Sequence, residues 1–430
     1  MKFAIVDVIK SGDKKDFNGG FGTSFDIGGG FFLKILKFLR NSNEFFPITL
    51  YGIYIALLKN QGHEVYYAKN RVPDNMDVII MHVSLVRNKE ELDILKKIRR
   101  TQSSFVMLIG PAAFHCSKKF EGLYDLIVHG DLEPHIREIS SIDDLPRGIS
   151  DFNVEHDLDS LPLPDWGLFD ISKFSQFPLL KRKPTAPVLA NRGCVFKCNY
   201  CPYVVNGSSN RRRSVLHVIK EIKYLKNCGF KSILFRDPTF TLNKKWIEEF
   251  CNAIIAENIE IEFACETRTD CLTEDLVKKM FEAGLRAVKV GVESFDHRSI
   301  EKHSRIAPKK ETQETIINYC ESLGIRVAAF YILGLDSDTA NSMQTTIDYS
   351  LYLGSSYANF NICTPLPGTK FYDEVKDKIF DHNLNHYDNF TPVFYTKCST
   401  PKEIKYFQQK AFSKFYFRPS LIMKRMKDFF

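Results

Sequence analysis

Three cysteines are the residues best placed to do chemistry. Cys194, Cys198 and Cys201 stand in NRGCVFKCNYCPY, a C-x3-C-x2-C spacing that lets one loop wrap three thiolates around a metal or cluster. Thiolates select zinc or iron–sulfur centres. A structural zinc ion wants a fourth Cys or His close by. The nearest candidate, His217, falls inside a predicted helix rather than in a paired ligand motif. Three thiolates without an obvious fourth suit a four-iron four-sulfur cluster (4Fe-4S) whose last iron is open to a substrate or cofactor. The other eight of the eleven cysteines are scattered along the chain. They read as reduced thiols in a cytoplasmic setting, not as a disulfide scaffold.

The elements around this loop repeat. From Ala186 to Thr364 a strand-then-helix unit recurs, with strands predicted near Ala186, Lys231, Glu260, Arg286, Ile325 and Tyr357. Gly229, Gly284, Gly324 and Gly354 stand where four of the helices must stop, and glycine accepts the left-handed conformation that ends a helix. Six such units make three-quarters of a TIM barrel, a fold whose catalytic groups lie at the C-terminal ends of its strands. Those ends carry Asp237 in SILFRDPTF, Arg268 in IEFACETR and Glu293 in VKVGVES. Gly334 and the run Thr364–Gly368 close the last two strands. Any one of these residues fits a structural role. Their common placement beside the cysteine loop argues for a shared site.

Residues 1–140 alternate short apolar runs with amphipathic ones, which predicts a parallel, Rossmann-like sheet with helices on both faces. Such sheets bind ligands beyond the carboxyl ends of their strands. A segment with six glycines (Gly19, Gly20, Gly22, Gly28, Gly29 and Gly30) follows the first strand, Ser84 ends the third, and Gly110 and Gly130 end the fourth and fifth. The glycine segment reads equally as a ligand-cradling or a surface loop. No GKS or GKT follows it, so a P-loop is not supported. Residues 141–185, broken by Pro146, Pro162, Pro164 and Pro178, read as a linker.

The cysteine loop, down to the aromatic Tyr200 before its last cysteine, resembles the hallmark of the radical S-adenosylmethionine (radical SAM) superfamily. The domain ahead of it and the bridging string LPLPDWGLFD resemble the cobalamin-binding branch of that superfamily. The likeness implies an α/β chain with a Rossmann-like cobalamin-binding domain (1–140), a linker (141–185), a partial (βα)6 barrel (186–368) and a C-terminal helical extension (369–430). It implies 4Fe-4S, S-adenosylmethionine and cobalamin as cofactors, with S-adenosylmethionine cleaved to a 5′-deoxyadenosyl radical. By that likeness Arg268 pairs with the S-adenosylmethionine carboxylate and Asp237 contacts its amino group. Glu293 meets the ribose hydroxyls or the amine, and main-chain atoms near Tyr200 meet the adenine. Ser84, Gly110 and Gly130 would line the pocket for the corrin's nucleotide tail. Two departures stand out. The Asp-x-His-x-x-Gly motif is missing, so no histidine is expected below the cobalt. YILGLDSDT replaces a Pro-Gly-Glu-Thr pattern, so Asp336 and Asp338 receive no role.

The implied activity is cobalamin-dependent methylation of an unreactive carbon in a small-molecule or peptide substrate, with an external electron donor such as flavodoxin or ferredoxin. The alternative keeps the radical and performs cyclisation, rearrangement or oxidation. A third reading, a zinc-stabilised nucleic-acid-binding protein using Arg211–Arg212–Arg213, lacks a fourth ligand and leaves the strand-end pattern unexplained. Ser214, next to those arginines, can cap the following helix. Composition agrees with the first two readings. The 430 residues suggest two or three domains, and 44% hydrophobic with 26% charged residues is ordinary for a globular chain. The longest apolar run, Val327–Leu335, is about half of what a membrane span needs. The net charge of +7 is concentrated in the last thirty residues, where eight Lys and Arg face two acidic residues among interleaved phenylalanines. No nucleic-acid partner is expected. Such a segment either lies on an anionic membrane or packs its aromatics on its own protein, and the second is favoured.

Overall fold

Runs such as FAIVD, VIIMH and FVMLI are buried along their whole length, the mark of parallel strands covered on both faces. The computed structural model describes residues 1–45, 47–206 and 209–419. The first sheet contains β1 (Lys2–Asp7), β2 (Glu64–Lys69), β3 (Val78–His82), β4 (Phe105–Ile109), β5 (Leu126–Ile127) and β6 (Gly148–Ile149). Its order is β2-β1-β3-β4-β5-β6, all parallel. The edge strand β6 and a bridge from Gly130 to Asn153 carry this sheet past residue 140, into the segment read as linker.

The second sheet is the partial barrel: β7 (Thr185–Val188), β8 (Ser232–Phe235), β9 (Glu262–Thr267), β10 (Leu285–Glu293), β11 (Arg326–Leu333) and β12 (Tyr357–Ile362). The strands run parallel in chain order. All four predicted helix-stopping glycines have positive φ, from +63° at Gly354 to +111° at Gly284. Side chains alternate across each strand. One inward layer is apolar: Leu234, Ala264, Ala287 and Ala328 pack on Leu179 and Leu180, which plug that end of the barrel.

The segment read as a glycine-rich loop is more than that. It forms a short hairpin, Asp13–Lys14 with Thr23–Ser24, and then a helix, α1 (Phe31–Asn43). It leaves the first domain and packs on the barrel. Phe25 and Leu33 join the barrel core, and Arg40 donates to Asn359 of β12 at 2.9 Å. The helical signal was present in Lys34, Lys37 and Arg40, spaced by three among apolar residues.

The C-terminal extension binds both halves. Phe371, Val375, Tyr387 and Val393 pack with residues of the first sheet. Helix α2 (Pro401–Tyr416), opened by a Thr400–Glu403 capping box, buries Phe407, Phe412 and Phe415 on the barrel. These aromatics are core, as the self-packing reading expects, while Lys402 and Lys414 are exposed. Lys424, Arg425, Lys427, Asp428, Phe429 and Phe430 lie outside the described residues. Among the described residues no helix is long and apolar enough to cross a membrane.

Candidate active site

The cysteine loop is held at its base. Asn191–Arg192 pairs antiparallel with Arg211–Arg212. Asp237, immediately after Arg236 at the end of β8, accepts the backbone N–H groups of Ala190 and Asn191 at 3.2 and 2.5 Å. It is fully buried, and burial pushes its carboxyl up to about 7. Asp237 therefore fixes the start of the loop and is not on the cavity wall that the cysteines share. Further along, Asn199 is pinned by His303 through a backbone bond and a side-chain bond, both 3.0 Å, and by Glu374 at 2.9 Å.

The three consecutive arginines are spent inside the protein. Arg211 pairs with Asp131 at 2.5 Å, Arg212 lies over the Trp246 ring, and Arg213 pairs with Glu221. His217 faces Asp159 at 3.1 Å and does not reach the cysteines' cavity. Among the described residues no three Cys, His, Asp or Glu side chains gather tightly enough for a single metal ion. A four-iron cluster asks for something wider, because each thiolate meets a different iron.

Cys194, Cys198 and Cys201 line one cavity of about 280 Å³ with Tyr200, Arg268, Glu293 and Arg305. Burial pushes the Cys201 thiol up to about 12 and raises that of Cys198 against the opposing charge of Arg305. Metal loading therefore releases protons here. Glu293 is aimed by strained backbone: its φ is +69°, and the β10–β11 register shifts between Gly291 and Glu293. Such outliers in non-glycine residues persist where the surroundings enforce them. The absence of a side chain at Gly291 makes room, since a Cβ there would lie 2.4 Å from the Glu293 Oε1 atom. Arg305, which sequence reasoning missed, pairs with Glu293 at 3.1 Å and donates to the Gly291 carbonyl at 3.0 Å.

Arg268 forks onto Asp270 at 2.9 and 2.6 Å and lies 4.2 Å from the Phe196 ring centroid. Its Nη1, the Arg305 Nε and the Tyr200 hydroxyl are buried without a partner. Unpaired buried donors are costly and uncommon, and guanidinium donors suit a carboxylate. These orphans, with the Glu293 carboxylate and three thiols, fit a cluster that carries an amino acid's carboxylate and amine.

Deeper in the same cavity lies a polar layer that the sequence reading did not find. Lys14, Arg40, Glu266, Lys289, Asn359 and Asn361 all line it. Arg236 pairs with Glu266 and, at 3.2 Å, with Asp16. Burial opposes the ionisation of Glu266, but Arg236 and then Lys289 outweigh it and lower its pKa. Burial lowers Lys289 to about 8 against the pull of Glu266, with Arg236 and Arg40 adding repulsion.

Residues 188–349 match the Radical SAM superfamily. Relatives include an uncharacterized methyltransferase of Pyrococcus horikoshii, 29% identical over 62% of this chain and 58% of that protein. Residues 188–349 are thus a radical S-adenosylmethionine domain. The anaerobic magnesium-protoporphyrin IX monomethyl ester cyclase of Cereibacter sphaeroides is 27% identical over 69% of this chain and 46% of that one. The chain thus spans about half the length of these curated relatives. The fold matches the radical S-adenosylmethionine methyltransferase TsrM of Kitasatospora setae, solved with cobalamin and a [4Fe-4S] cluster, with a TM-score of 0.61 over 87% of this chain and 78% of that chain at 14% identity. It also matches the cobalamin-dependent S-adenosylmethionine radical enzyme OxsB, with a TM-score of 0.58 over 81% and 51% at 15% identity. At these identities the likeness is one of fold: a Rossmann-like sheet ahead of a partial barrel.

That domain meets the barrel at a second cavity of about 170 Å³, lined by Gly20, His82, Gly110, His115, His129 and Gly130 among others. It adjoins the first, sharing Tyr203 and Pro238. Two of the three expected cobalamin residues, Gly110 and Gly130, are on its wall. Ser84 is not. It is fully buried, and both its backbone N–H and its hydroxyl are bound to Glu91, which itself pairs with Lys15 at 2.7 Å. The glycines also serve the protein's own packing. A Cβ at Gly110 would come 2.6 Å from the His82 Nε2, and one at Gly130 would come 1.9 Å from the Asn153 carbonyl oxygen. Although the sequence gives no histidine motif for cobalt, three histidines stand on this wall. Burial, with Lys15 adding, lowers His82 to about 3, and His115 and His129 are lowered by burial as well. The buried Nδ1 of His82 has no partner. The position beyond the strand ends, next to the cluster cavity, fits a flat cofactor held between the two domains.

Proposed function

We propose that this chain is a radical SAM enzyme that methylates an unreactive carbon with the help of cobalamin. The observation that carries the reading is one cavity whose wall joins three free thiols to the strained Glu293 and the unpaired guanidinium donors of Arg268 and Arg305. Cys194, Cys198 and Cys201 would hold a 4Fe-4S cluster. Arg268 and Arg305 would take the S-adenosylmethionine carboxylate, Glu293 the amine or ribose, and the backbone around Tyr200 the adenine. His82, Gly110, His115 and Gly130 would border cobalamin. When bound, these groups supply a 5′-deoxyadenosyl radical and a transferable methyl group. The protein's part is to hold the two groups in adjoining cavities. A small-molecule or peptide substrate and an external donor such as flavodoxin or ferredoxin complete the proposal. The oxygen-labile cluster and eleven free thiols suit a reducing cytoplasm.

The test is anaerobic reconstitution followed by S-adenosylmethionine and reductant. About four irons and four sulfides per chain and formation of 5′-deoxyadenosine are expected. A triple Cys→Ala variant that still forms 5′-deoxyadenosine would sink the reading. A second reading, radical cyclisation, rearrangement or oxidation without methyl transfer, draws on the internal engagement of Ser84 and the packing role of the glycines. The absorbance spectrum separates the two: protein grown with cobalamin that retains no corrin favours the second.

A further inference from the structure

The floor of the barrel cavity departs from the way such barrels are filled. Inward layers are ordinarily apolar, as Leu234, Ala264, Ala287 and Ala328 are one layer below. The next layer up is ionic. Within it, the guanidinium of Arg236 and the ammonium groups of Lys289 and Lys14 all approach the Phe17 ring, at 3.9, 5.0 and 5.3 Å from its centroid. Cations brought this close together in a buried place repel one another and lose hydration.

Their contacts are unequal. Arg236 is committed to Asp16 and Glu266. Lys289 has three N–H donors and is 95% buried, yet its contacts with Glu266 and Gln176 are long, 3.4 and 3.5 Å. An ammonium so held keeps donor capacity for a ligand in the cavity it lines. On β12, Asn359 accepts from Arg40 of α1 at 2.9 Å and donates to Asn361 at 2.6 Å. This relay fixes the Asn361 amide with its NH₂ as the next donor. The opposite end of the cavity holds Glu293 and the cysteines. Lys289 and Glu293 stand four positions apart on β10, roughly 13 Å at the usual rise of a strand.

We propose that this layer is a subsite for an anionic group of the substrate, a carboxylate or a phosphoryl group, held by Lys289 with Lys14, Arg40 and Asn361. The inference rests on the radical SAM reading above and narrows its substrate class. The substrate is a molecule with a charged end on the barrel floor and its reacting carbon at the mouth.

Benzoate and phenylphosphonate are suitable probes, with benzamide as the neutral counterpart. Calorimetric titration of the iron-loaded protein, saturated with S-adenosylmethionine so that the upper guanidinium groups are occupied, reads the affinities. One acid should bind at least about tenfold tighter than benzamide, and the better of the two identifies carboxylate or phosphoryl. Lys289→Met should lose at least about tenfold, the effect of removing one partner of a buried charge pair. Lys289→Arg should restore most of it, which separates recognition from a folding defect. Lys245→Met, on the exposed face of a barrel helix, should bind as wild type. Acids that bind no better than benzamide to iron-loaded protein, or a Lys289→Met variant that binds as wild type, overturn the subsite and leave the proposed chemistry standing. Equal losses in Lys245→Met mark the binding as surface attraction and overturn it too. Failure to take up iron counts against the proposed chemistry instead, and the comparison of Lys289→Met with wild type on that protein still decides the subsite.

Discussion

At the scale of single residues, the site is marked by places where the protein accepts a cost. Glu293 adopts a left-handed backbone conformation without being glycine, and Lys289 keeps an ammonium group in a barrel core. The second cost is measurable. Burial depresses Lys289 from 10.5 to about 8, a difference worth about 3 kcal/mol. Its folded pKa lies below its unfolded value, so between about pH 8 and 10.5 the unfolded chain holds the extra proton. Stability then rises with pH across that window, and below it the full penalty is present. Lys289→Met removes the penalty. The variant is expected to melt above wild type at pH 7.5, with the gap narrowing toward pH 9.5, measured as anaerobic melting temperatures of iron-loaded protein. A gap that widens with pH would contradict the assignment. Stability gained together with anion binding lost would mark Lys289 as kept for function.

Secondary-structure elements explain why Asp237 sits where it does. The cysteine loop leaves the barrel after β7 and must start in one direction. Asp237, just past the end of β8, supplies that direction by accepting two backbone N–H groups. Asp237→Ala leaves both donors buried and unpaired, at about 1–3 kcal/mol each. It should lower iron per chain together with melting temperature, with Asp237→Asn in between. An alanine variant that loads iron fully yet fails to bind S-adenosylmethionine would return Asp237 to the amino-group contact that the family resemblance implies. Much was legible at this scale. The six barrel strands, the stopping glycines and the Ser214 cap, whose hydroxyl accepts from the His217 N–H at 3.2 Å, follow from local periodicity and local hydrogen bonding. Residues whose partners are distant in sequence were not legible. Arg305 matters because it folds back over Gly291, and Lys14 because its segment leaves one domain for the interior of another. Ser84 reads as a strand-end serine until Glu91 claims it. Helix α1 was hidden because glycines on one side and Pro47 on the other make the stretch look like a loop.

For the whole molecule, the question is what holds the two cavities together, since the proposed chemistry between them requires fixed spacing. Part of the answer is a buried ionic joint. Arg192, at the base of the cysteine loop, pairs with Glu133 at 2.6 Å and with Asp131 at 3.2 Å, and Arg211 across the hairpin also takes Asp131. Glu133 is completely buried and belongs to the first domain, so the cluster loop is tied directly to the Rossmann-like sheet. Burial raises the Glu133 pKa while Arg192 opposes that shift. Removing one partner of such a pair costs about 3–5 kcal/mol because the other is left charged and dry. Arg192→Met is therefore expected to loosen the joint, leaving Asp131 with Arg211 but Glu133 with nothing. Limited proteolysis of iron-loaded protein should then cut within residues 156–184 several times faster than in wild type. Lys245→Met provides the contrast: its pair with Glu249 is 4.0 Å long and both side chains are exposed, so its loss should cost under about 1 kcal/mol. Equal cutting rates in the two variants would mean that the apolar contacts of the C-terminal extension, rather than this joint, set the spacing between the domains.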